Sequence, residues 1–156
     1  MSNDEAQPRR PPKSTACRCP VCGDAGRLVS ALTLANHLPS EIYAQSGGQG
    51  SFCANPNCAV VYCNSRGMLI RRGDTVLPVT IKDAGDDVHV CYCFDFKRAD
   101  IRREILEKGK TTIPEEIKKG IKAGRCDCER KNPQGVCCLG NVAAAVKVIL
   151  AEVNRK

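Results

Sequence analysis

The chain has 156 residues, a formal net charge of +7 and twelve cysteines, with three tyrosines, three phenylalanines and no tryptophan. So few aromatic side chains offer little for stacking bases, which argues against nucleic-acid binding despite the positive charge. The most apolar stretch, residues 142–153, is interrupted by Lys147 and is too short to cross a bilayer, so we expect no membrane insertion.

The first part of the chain, residues 1–16, sets Pro8, Pro11 and Pro12 among polar and charged residues, which predicts a disordered leader. It contains no apolar stretch that resembles a secretory signal, so we expect a cytoplasmic protein. In a reducing compartment, cysteines in this number favour metal binding, with disulfide bonds as the rival explanation.

The first cysteine set consists of two short motifs, C-P-V-C at Cys19 and Cys22 and C-A-N-P-N-C at Cys53 and Cys58. Two such knuckles are typical of a tetrahedral zinc site that has a structural role, because four thiolates leave no open position on the ion. We therefore predict a zinc-binding α+β unit over residues 17–85.

The elements of this unit follow in chain order. Residues 30–43 mix helix and strand spacing, so their type stays open, and residues 45–50 predict a flexible loop. Residues 59–63 are typical of a strand, and residues 68–72 and 76–81 predict a hairpin after it. Residues 83–87 are acidic and turn-forming, which marks the boundary to the next unit.

The second cysteine set begins at Cys91-Tyr92-Cys93 and ends at Cys128 and Cys138. The tight C-x-C and C-C pairs favour a [2Fe–2S] cluster over a single zinc ion. Cys126 precedes Cys128 by two residues and Cys137 adjoins Cys138, so each neighbour stays open as the alternative ligand.

Between these cysteines the pattern is helical. Residues 98–108 predict a helix that ends at Gly109, and residues 112–115 predict a capping box that starts a second helix. A last helix is expected from about Asn141. The predicted fold is therefore α+β, a small zinc-knuckle unit with a short β-sheet followed by a helical [2Fe–2S]-binding unit at residues 86–156.

Together these motifs resemble a known family. The C-x-C pair, two short helices ending in Ala-Gly, the motif N-P-x-G-x-C-C and the last helix resemble the [2Fe–2S] module of CopZ-type copper chaperones, which is similar to bacterioferritin-associated ferredoxin. The C-P-x-C motif, His37 and the stretch from Phe52 to Tyr62 resemble the zinc-binding part of the same N-terminal domain. The resemblance covers about residues 19–153.

The resemblance implies that one thiol set holds zinc and the other holds the cluster. The zinc ligands would be Cys19, Cys22, Cys53 and Cys58, and the cluster ligands Cys91, Cys93, Cys128 and Cys138.

It also implies a cytoplasmic metal-trafficking protein whose cluster transfers electrons, for example to reduce Cu(II) to Cu(I), and whose partner is a copper-handling or redox protein. A ferredoxin-like electron carrier without a copper role is the main alternative, and a zinc-only nucleic-acid-binding protein is a further one. We expect no enzymatic activity, because the sequence contains no assembled catalytic motif.

Four cysteines remain outside both sets: Cys17, Cys63, Cys126 and Cys137. Two or three thiolates are enough to bind Cu(I), so these cysteines are candidate copper ligands, with Cys126 and Cys137 foremost. Buried packing is nevertheless the stronger explanation of a spare cysteine. Full-length members of the family carry a Met-x-Cys-x-x-Cys copper loop that these 156 residues lack, so we expect other copper ligands or a partner.

The two histidines are not predicted as ligands, because four cysteines already fill each site. His37 is predicted to pack within an apolar run, and His89, which precedes the C-x-C pair, is expected at most to tune the cluster.

Overall fold

The computed structural model describes residues 16–155, so the predicted leader at residues 1–16 lies outside the described residues except for Ala16. The predicted α+β class is confirmed: a four-stranded antiparallel sheet and a two-stranded hairpin combine with six helices in this part of the chain. The strands are β1 (Arg27–Val29), β2 (Gly50–Phe52), β3 (Val60–Cys63), β4 (Leu69–Arg71), β5 (His89–Cys91) and β6 (Phe96–Lys97).

Helices follow the first strand and dominate the second half. None of those in residues 16–155 is long and apolar enough to span a bilayer. The helices are α1 (Ala31–His37), α2 (Ser40–Ser46), α3 (Arg98–Lys108), α4 (Ile113–Lys122), α5 (Cys128–Lys131) and α6 (Leu139–Asn154).

The four-stranded sheet has the order β1-β2-β3-β4, and its third strand is buried at every position. A register shift between Val60 and Tyr62 where β3 pairs with β4 bends the strand. As a result Val60 and Cys63 pack with the first thiol set, whereas Tyr62 packs in the core with Leu34 and Phe52. This strand therefore joins the thiol set to the hydrophobic core.

The segment that follows β4 differs from the prediction. The expected hairpin is wrong in its second strand, because residues 76–81 form no strand. Pro78 has no N–H to donate to a ladder, and the N–H of Val76 instead donates to the carbonyl of His37 at 2.8 Å. Val79 is fully buried and fills the core from this irregular segment. The sheet is completed instead by β1 and β2, which the sequence pattern did not predict.

The segment of mixed spacing, residues 30–43, contains α1 and the start of α2. The hydroxyl of Ser30 accepts the N–H of Thr33 at 3.3 Å and caps α1. Pro39 breaks the helix, because the residue before a proline avoids the helical region. Because two short helices share this segment, neither the helical nor the strand period of apolar residues fits its whole length.

The second unit has its own core, in which α3 and α4 both pack against α6. The predicted helix at residues 98–108 is confirmed, and the last helix begins at Leu139, two residues before the expected start. The capping box is wrong, because the Thr112 side chain makes no cap bond; the Thr112 N–H donates to the carboxylate of Glu104 at 2.7 Å. The β5–β6 hairpin, which presents Cys91 and Cys93, was not predicted.

Gly120 of α4 permits a close contact in this core. A Cβ at Gly120 would lie 2.4 Å from the ring of Phe94, whereas a Cβ at Gly140 of α6 would meet no atom within 4 Å. We therefore predict that Gly120→Ala lowers the free energy of unfolding by about 2 kcal/mol. The control Gly140→Ala should raise it by about 0.5 kcal/mol. Chemical denaturation of both variants tests this, and equal stabilities would contradict the packing described.

Candidate metal centres

The first thiol set converges on one point. The sulfur atoms of its four cysteines all lie within 4.8 Å of one another, with Cys19 Sγ at 3.7 Å from Cys58 Sγ and Cys22 Sγ at 3.6 Å from Cys53 Sγ. Four sulfurs at about 2.3 Å from a tetrahedral zinc ion lie about 3.8 Å apart. The geometry therefore fits one zinc ion, and Cys22 is the one member of the set that is half-buried.

Two backbone turns present these sulfurs. In the first, the N–H of Cys19 donates to the carbonyl of Asp24 and the N–H of Gly23 donates to the carbonyl of Cys19, both at 2.9 Å. Gly23 has a φ of 79°, a left-handed conformation that suits glycine. In the second, the N–H of Cys53 donates to the carbonyl of Val61 at 2.9 Å, which anchors this turn to β3.

Without an ion, two thiols of this set, Cys53 and Cys58, hold their protons at neutral pH. Burial raises the pKa of Cys53 to about 12 and also raises the pKa of Cys58. Burial opposes ionisation of Cys19 too, but hydrogen bonds from the backbone of Cys22 and Val21 outweigh it and lower the pKa of Cys19 to about 7. A metal ion that replaces the protons removes the repulsion between neighbouring thiolates.

Lys82 adds a positive charge beside this set. Its side chain is buried, and its ammonium donates to the carbonyls of Asn55 at 2.5 Å and Cys58 at 3.0 Å. No carboxylate pairs with it in the described part of the chain. A buried ammonium without an anionic partner favours a negative charge nearby, and four thiolates around Zn²⁺ carry about −2.

The second thiol set is arranged as two pairs. Cys93 Sγ lies 3.3 Å from Cys128 Sγ, and the Cys91 thiol interacts with the Cys138 thiol. Among the described residues, these four sulfurs do not close into one group as the first set does. A [2Fe–2S] cluster needs this arrangement, because each of its two irons takes two thiolates and bridging sulfides separate the irons.

The two pairs differ in their surroundings. Cys91 and Cys138 are buried in the core of the second unit, and Cys93 and Cys128 are half-buried. The interaction with Cys138 lowers the pKa of Cys91 to about 7, and the same interaction, with burial, raises the pKa of Cys138. The N–H of Asp127 donates to Cys93 Sγ at 3.1 Å. Such a hydrogen bond stabilises a thiolate.

Comparison with known proteins agrees with the first site. Residues 16–83 match the CopZ-type family model described as a zinc binding domain. Residues 16–83, called the zinc-binding domain below, are therefore similar to CopZ-type zinc-binding domains. The "X-ray structure of the Archaeoglobus fulgidus CopZ N-terminal Domain" is similar to the chain with a TM-score of 0.67 and 27% identity, over 82% of this chain and 96% of that one. No curated protein sequence matches the chain.

The family model and the four converging sulfurs therefore support zinc as a cofactor of residues 16–83, whereas the cluster stays a prediction. The spare cysteines fall into two groups. Cys126 and Cys137 are exposed, next to the second thiol set in the chain. Cys63 is buried and Cys17 is half-buried, and both pack with the first thiol set. Burial, together with the neighbouring Cys17 thiol, raises the pKa of Cys63 to about 12.

His37 belongs to α1 of residues 16–83, and His89 begins β5, two residues before Cys91. His37 is fully buried, and its Nε2 lies 2.7 Å from the carbonyl of Lys131. The His89 ring stacks on Tyr92 with 5.2 Å between ring centroids, and its Nε2 lies 2.5 Å from Asp95 Oδ1. The expectation that His37 packs agrees with this burial.

Sequence analysis missed Lys82, Thr33 and Tyr62 as residues near the sites. Thr33 and Tyr62 are both fully buried and reach backbone carbonyls of residues 129 and 133. A lysine after a β-rich stretch gives no sign that it is buried, and a backbone carbonyl carries no sequence signal. Only the F-C-x4-C-x-V-V-Y stretch drew attention to Tyr62.

Zinc binding to the zinc-binding domain, residues 16–83, should be strongly pH dependent. At pH 7, Cys53, with a pKa of about 12, and Cys58, with a raised pKa, keep protons that zinc must displace. We predict that at least these two protons are released per zinc and that affinity falls about 100-fold for each pH unit lowered. Calorimetry in buffers of different ionisation enthalpy measures the protons, and a pH-independent affinity would contradict the prediction.

The charge of Lys82 should strengthen zinc binding. We predict that Lys82→Met weakens zinc affinity about tenfold, because it removes a positive charge beside the thiolates. Lys82→Gln keeps a hydrogen-bond donor without the charge and should behave like Lys82→Met, whereas Lys118→Met on the exposed face of α4 should not change affinity. Competition with a chelator measures all three. Wild-type affinity in Lys82→Gln would show that hydrogen bonding, and not charge, is what matters.

Proposed function

We propose that this chain is a cytoplasmic, non-enzymatic metal-trafficking protein, related to copper chaperones, that holds zinc and a [2Fe–2S] cluster. In this proposal Cys19, Cys22, Cys53 and Cys58 bind zinc as a structural ion. The cluster is held by Cys91, Cys93, Cys128 and Cys138 and serves electron transfer. The partner is a protein that handles copper or exchanges electrons.

The observation that carries the proposal is the pairing of the second thiol set. Cys93 with Cys128 and Cys91 with Cys138 offer two thiolates to each of two irons, as a binuclear cluster requires. The neighbours that the sequence left open, Cys126 and Cys137, are exposed and outside both pairs. The pairing therefore favours Cys128 and Cys138.

The surroundings of the pairs suit a redox centre. Burial of Cys91 and Cys138 shields one pair from solvent, and the Asp127 N–H bond to Cys93 Sγ stabilises negative charge on sulfur. Burial and hydrogen bonds to sulfur are the features by which a protein sets a cluster's potential. The half-buried Cys93 and Cys128 lie on the side from which an electron reaches a partner.

A [2Fe–2S] cluster held by Cys91, Cys93, Cys128 and Cys138 would supply one-electron chemistry, such as reduction of Cu(II) to Cu(I), with a one-electron donor such as a flavin reductase as the source of the electron. The protein would then have to retain the Cu(I) ion. We propose Cys126 and Cys137 for this task, because they are exposed thiols next to the cluster ligands and thiolates prefer Cu(I).

The net charge agrees with metal loading better than with nucleic-acid binding. The formal value of +7 counts every cysteine as neutral. A zinc tetrathiolate and an oxidised [2Fe–2S] tetrathiolate each carry about −2, so the loaded chain has about +3. This modest excess gives little attraction for a phosphate backbone.

The first test is metal analysis of protein purified without oxygen. We expect about two irons and two sulfides per chain with about one zinc, and a rhombic EPR signal after reduction with dithionite. Cys128→Ser should lower the iron content and leave zinc in place, whereas the matched Cys126→Ser should keep both. About two zincs and no iron would overturn the cluster and favour a zinc-only binding protein.

The second test adds copper to the reduced protein. The copper role requires Cu(II) to oxidise the cluster with one electron per copper and Cu(I) to stay bound. Combined Cys126→Ser and Cys137→Ser should abolish copper retention but keep the EPR signal. A cluster that forms but neither reduces nor retains copper would leave the ferredoxin-like electron carrier as the function.

A further inference from the structure

The loop between the last two proposed cluster ligands, residues 128–138, is held from outside by the zinc-binding domain. The backbone carbonyls of three alternate residues, Glu129, Lys131 and Pro133, each accept a hydrogen bond from a side chain of that domain. The three donors, all fully buried, are Thr33, His37 and Tyr62.

Two of the donors lie on α1, which packs against α5. Thr33 and His37 are four residues apart, so both lie on one face of the helix. The Thr33 hydroxyl donates to the Glu129 carbonyl, and His37 Nε2 donates to the Lys131 carbonyl at 2.7 Å. Because a carbonyl only accepts, this bond leaves His37 Nδ1 without a proton, buried and without a partner.

His37 also reaches the other side of the second thiol set. Its ring packs edge-on against Tyr92, with 5.8 Å between the ring centroids. Tyr92 stands between Cys91 and Cys93 in the chain. One side chain of the zinc-binding domain thus contacts both segments that carry the proposed cluster ligands. Burial lowers the pKa of His37, which keeps the ring neutral near neutral pH.

The third donor, Tyr62, lies in β3, the strand whose Val60 and Cys63 pack with the first thiol set. Its hydroxyl donates to the carbonyl of Pro133, and burial raises its pKa, so the hydroxyl stays protonated. One short strand therefore contacts both the first thiol set and the loop.

Hydrogen bonds within residues 128–138 also restrict the backbone conformation of this loop. Asn132 is buried, donates through Nδ2 to the carbonyl of Val136 at 2.7 Å and accepts the N–H of Gln134 at 3.0 Å. Gly135 has a φ of 71°, and a Cβ there would lie 3.1 Å from Thr33 Oγ1. Bonds within the loop and bonds to the domain together set where its two ends lie.

From these contacts we infer that Thr33, His37 and Tyr62 are positioning residues for the cluster: the zinc-binding domain fixes the loop that presents Cys128 and Cys138. This inference rests on the proposed function, because it needs the cluster to be bound there. A cluster whose ligands are held in place is released slowly and has one well-defined environment.

The test uses the double variant Thr33→Val, Tyr62→Phe, which removes two hydroxyls and keeps side-chain shape. We expect iron to be released to a chelator about tenfold faster than from wild type, because two buried carbonyls lose their donors. The EPR signal or the reduction potential should shift, and the zinc content should stay as in wild type. Thr33→Ser keeps the Thr33 donor, so the double variant Thr33→Ser, Tyr62→Phe should release iron as slowly as Tyr62→Phe alone.

The matched control is the double variant Thr75→Val, Tyr43→Phe, which should behave as wild type. In the described part of the chain, the hydroxyls of Thr75 and Tyr43 make no hydrogen bond to residues 128–138. If the double variant does not fold, the two single changes are measured separately. Wild-type iron release with an unchanged EPR signal in the variants overturns the inference alone. Loss of zinc as fast as iron also overturns it, because the residues then only stabilise the domain. Absence of iron from the wild type overturns the proposed function and this inference with it.

Discussion

The convergence of four cysteine sulfurs within 4.8 Å is the constraint on which the first half of the structure depends. Domains of this size bury too little apolar surface to be stable without a staple. The strands available here are only three or four residues long. A zinc ion held by two turns fixes the ends of β2 and β3 and so allows such short strands to form one sheet.

The same strand that zinc stabilises also carries the connection to the second unit. The bulge in β3 points Cys63 toward the thiols and Tyr62 toward the core and the loop after Cys128. The two thiol sets are therefore not independent attachments to a chain. Hydrogen bonds from buried side chains to backbone carbonyls join the segments that carry the two thiol sets.

Local patterns in the sequence predicted what depends on local physics. The 3.6-residue period gave α3 with its observed bounds, and the C-x2-C and C-x4-C spacings gave the zinc set. The strands β1 and β2 were not predicted, because a strand of three residues is too short to show an alternating pattern. The apolar residues 76–81 suggested a strand, but Pro78 cannot donate a ladder hydrogen bond there.

Other features depend on tertiary contacts. In the predicted capping box Glu115 would accept the N–H of Thr112, but Glu104 of the preceding helix accepts it instead. The bonds from Thr33, His37 and Tyr62 join residues more than 70 positions apart in the chain, and their acceptors are backbone atoms that every residue type possesses. No pattern of side chains along the sequence can reveal such a contact.

The order of the three donors and their acceptors has a consequence for biosynthesis. A ribosome completes Thr33, His37 and Tyr62, with all four zinc-binding cysteines, before it reaches Cys128. Domains of a nascent chain tend to fold as they emerge, the N-terminal one first. The zinc-loaded part can then fold before the later segment is made, so scarcity of zinc during translation would delay assembly of the proposed cluster site even where iron and sulfide are plentiful.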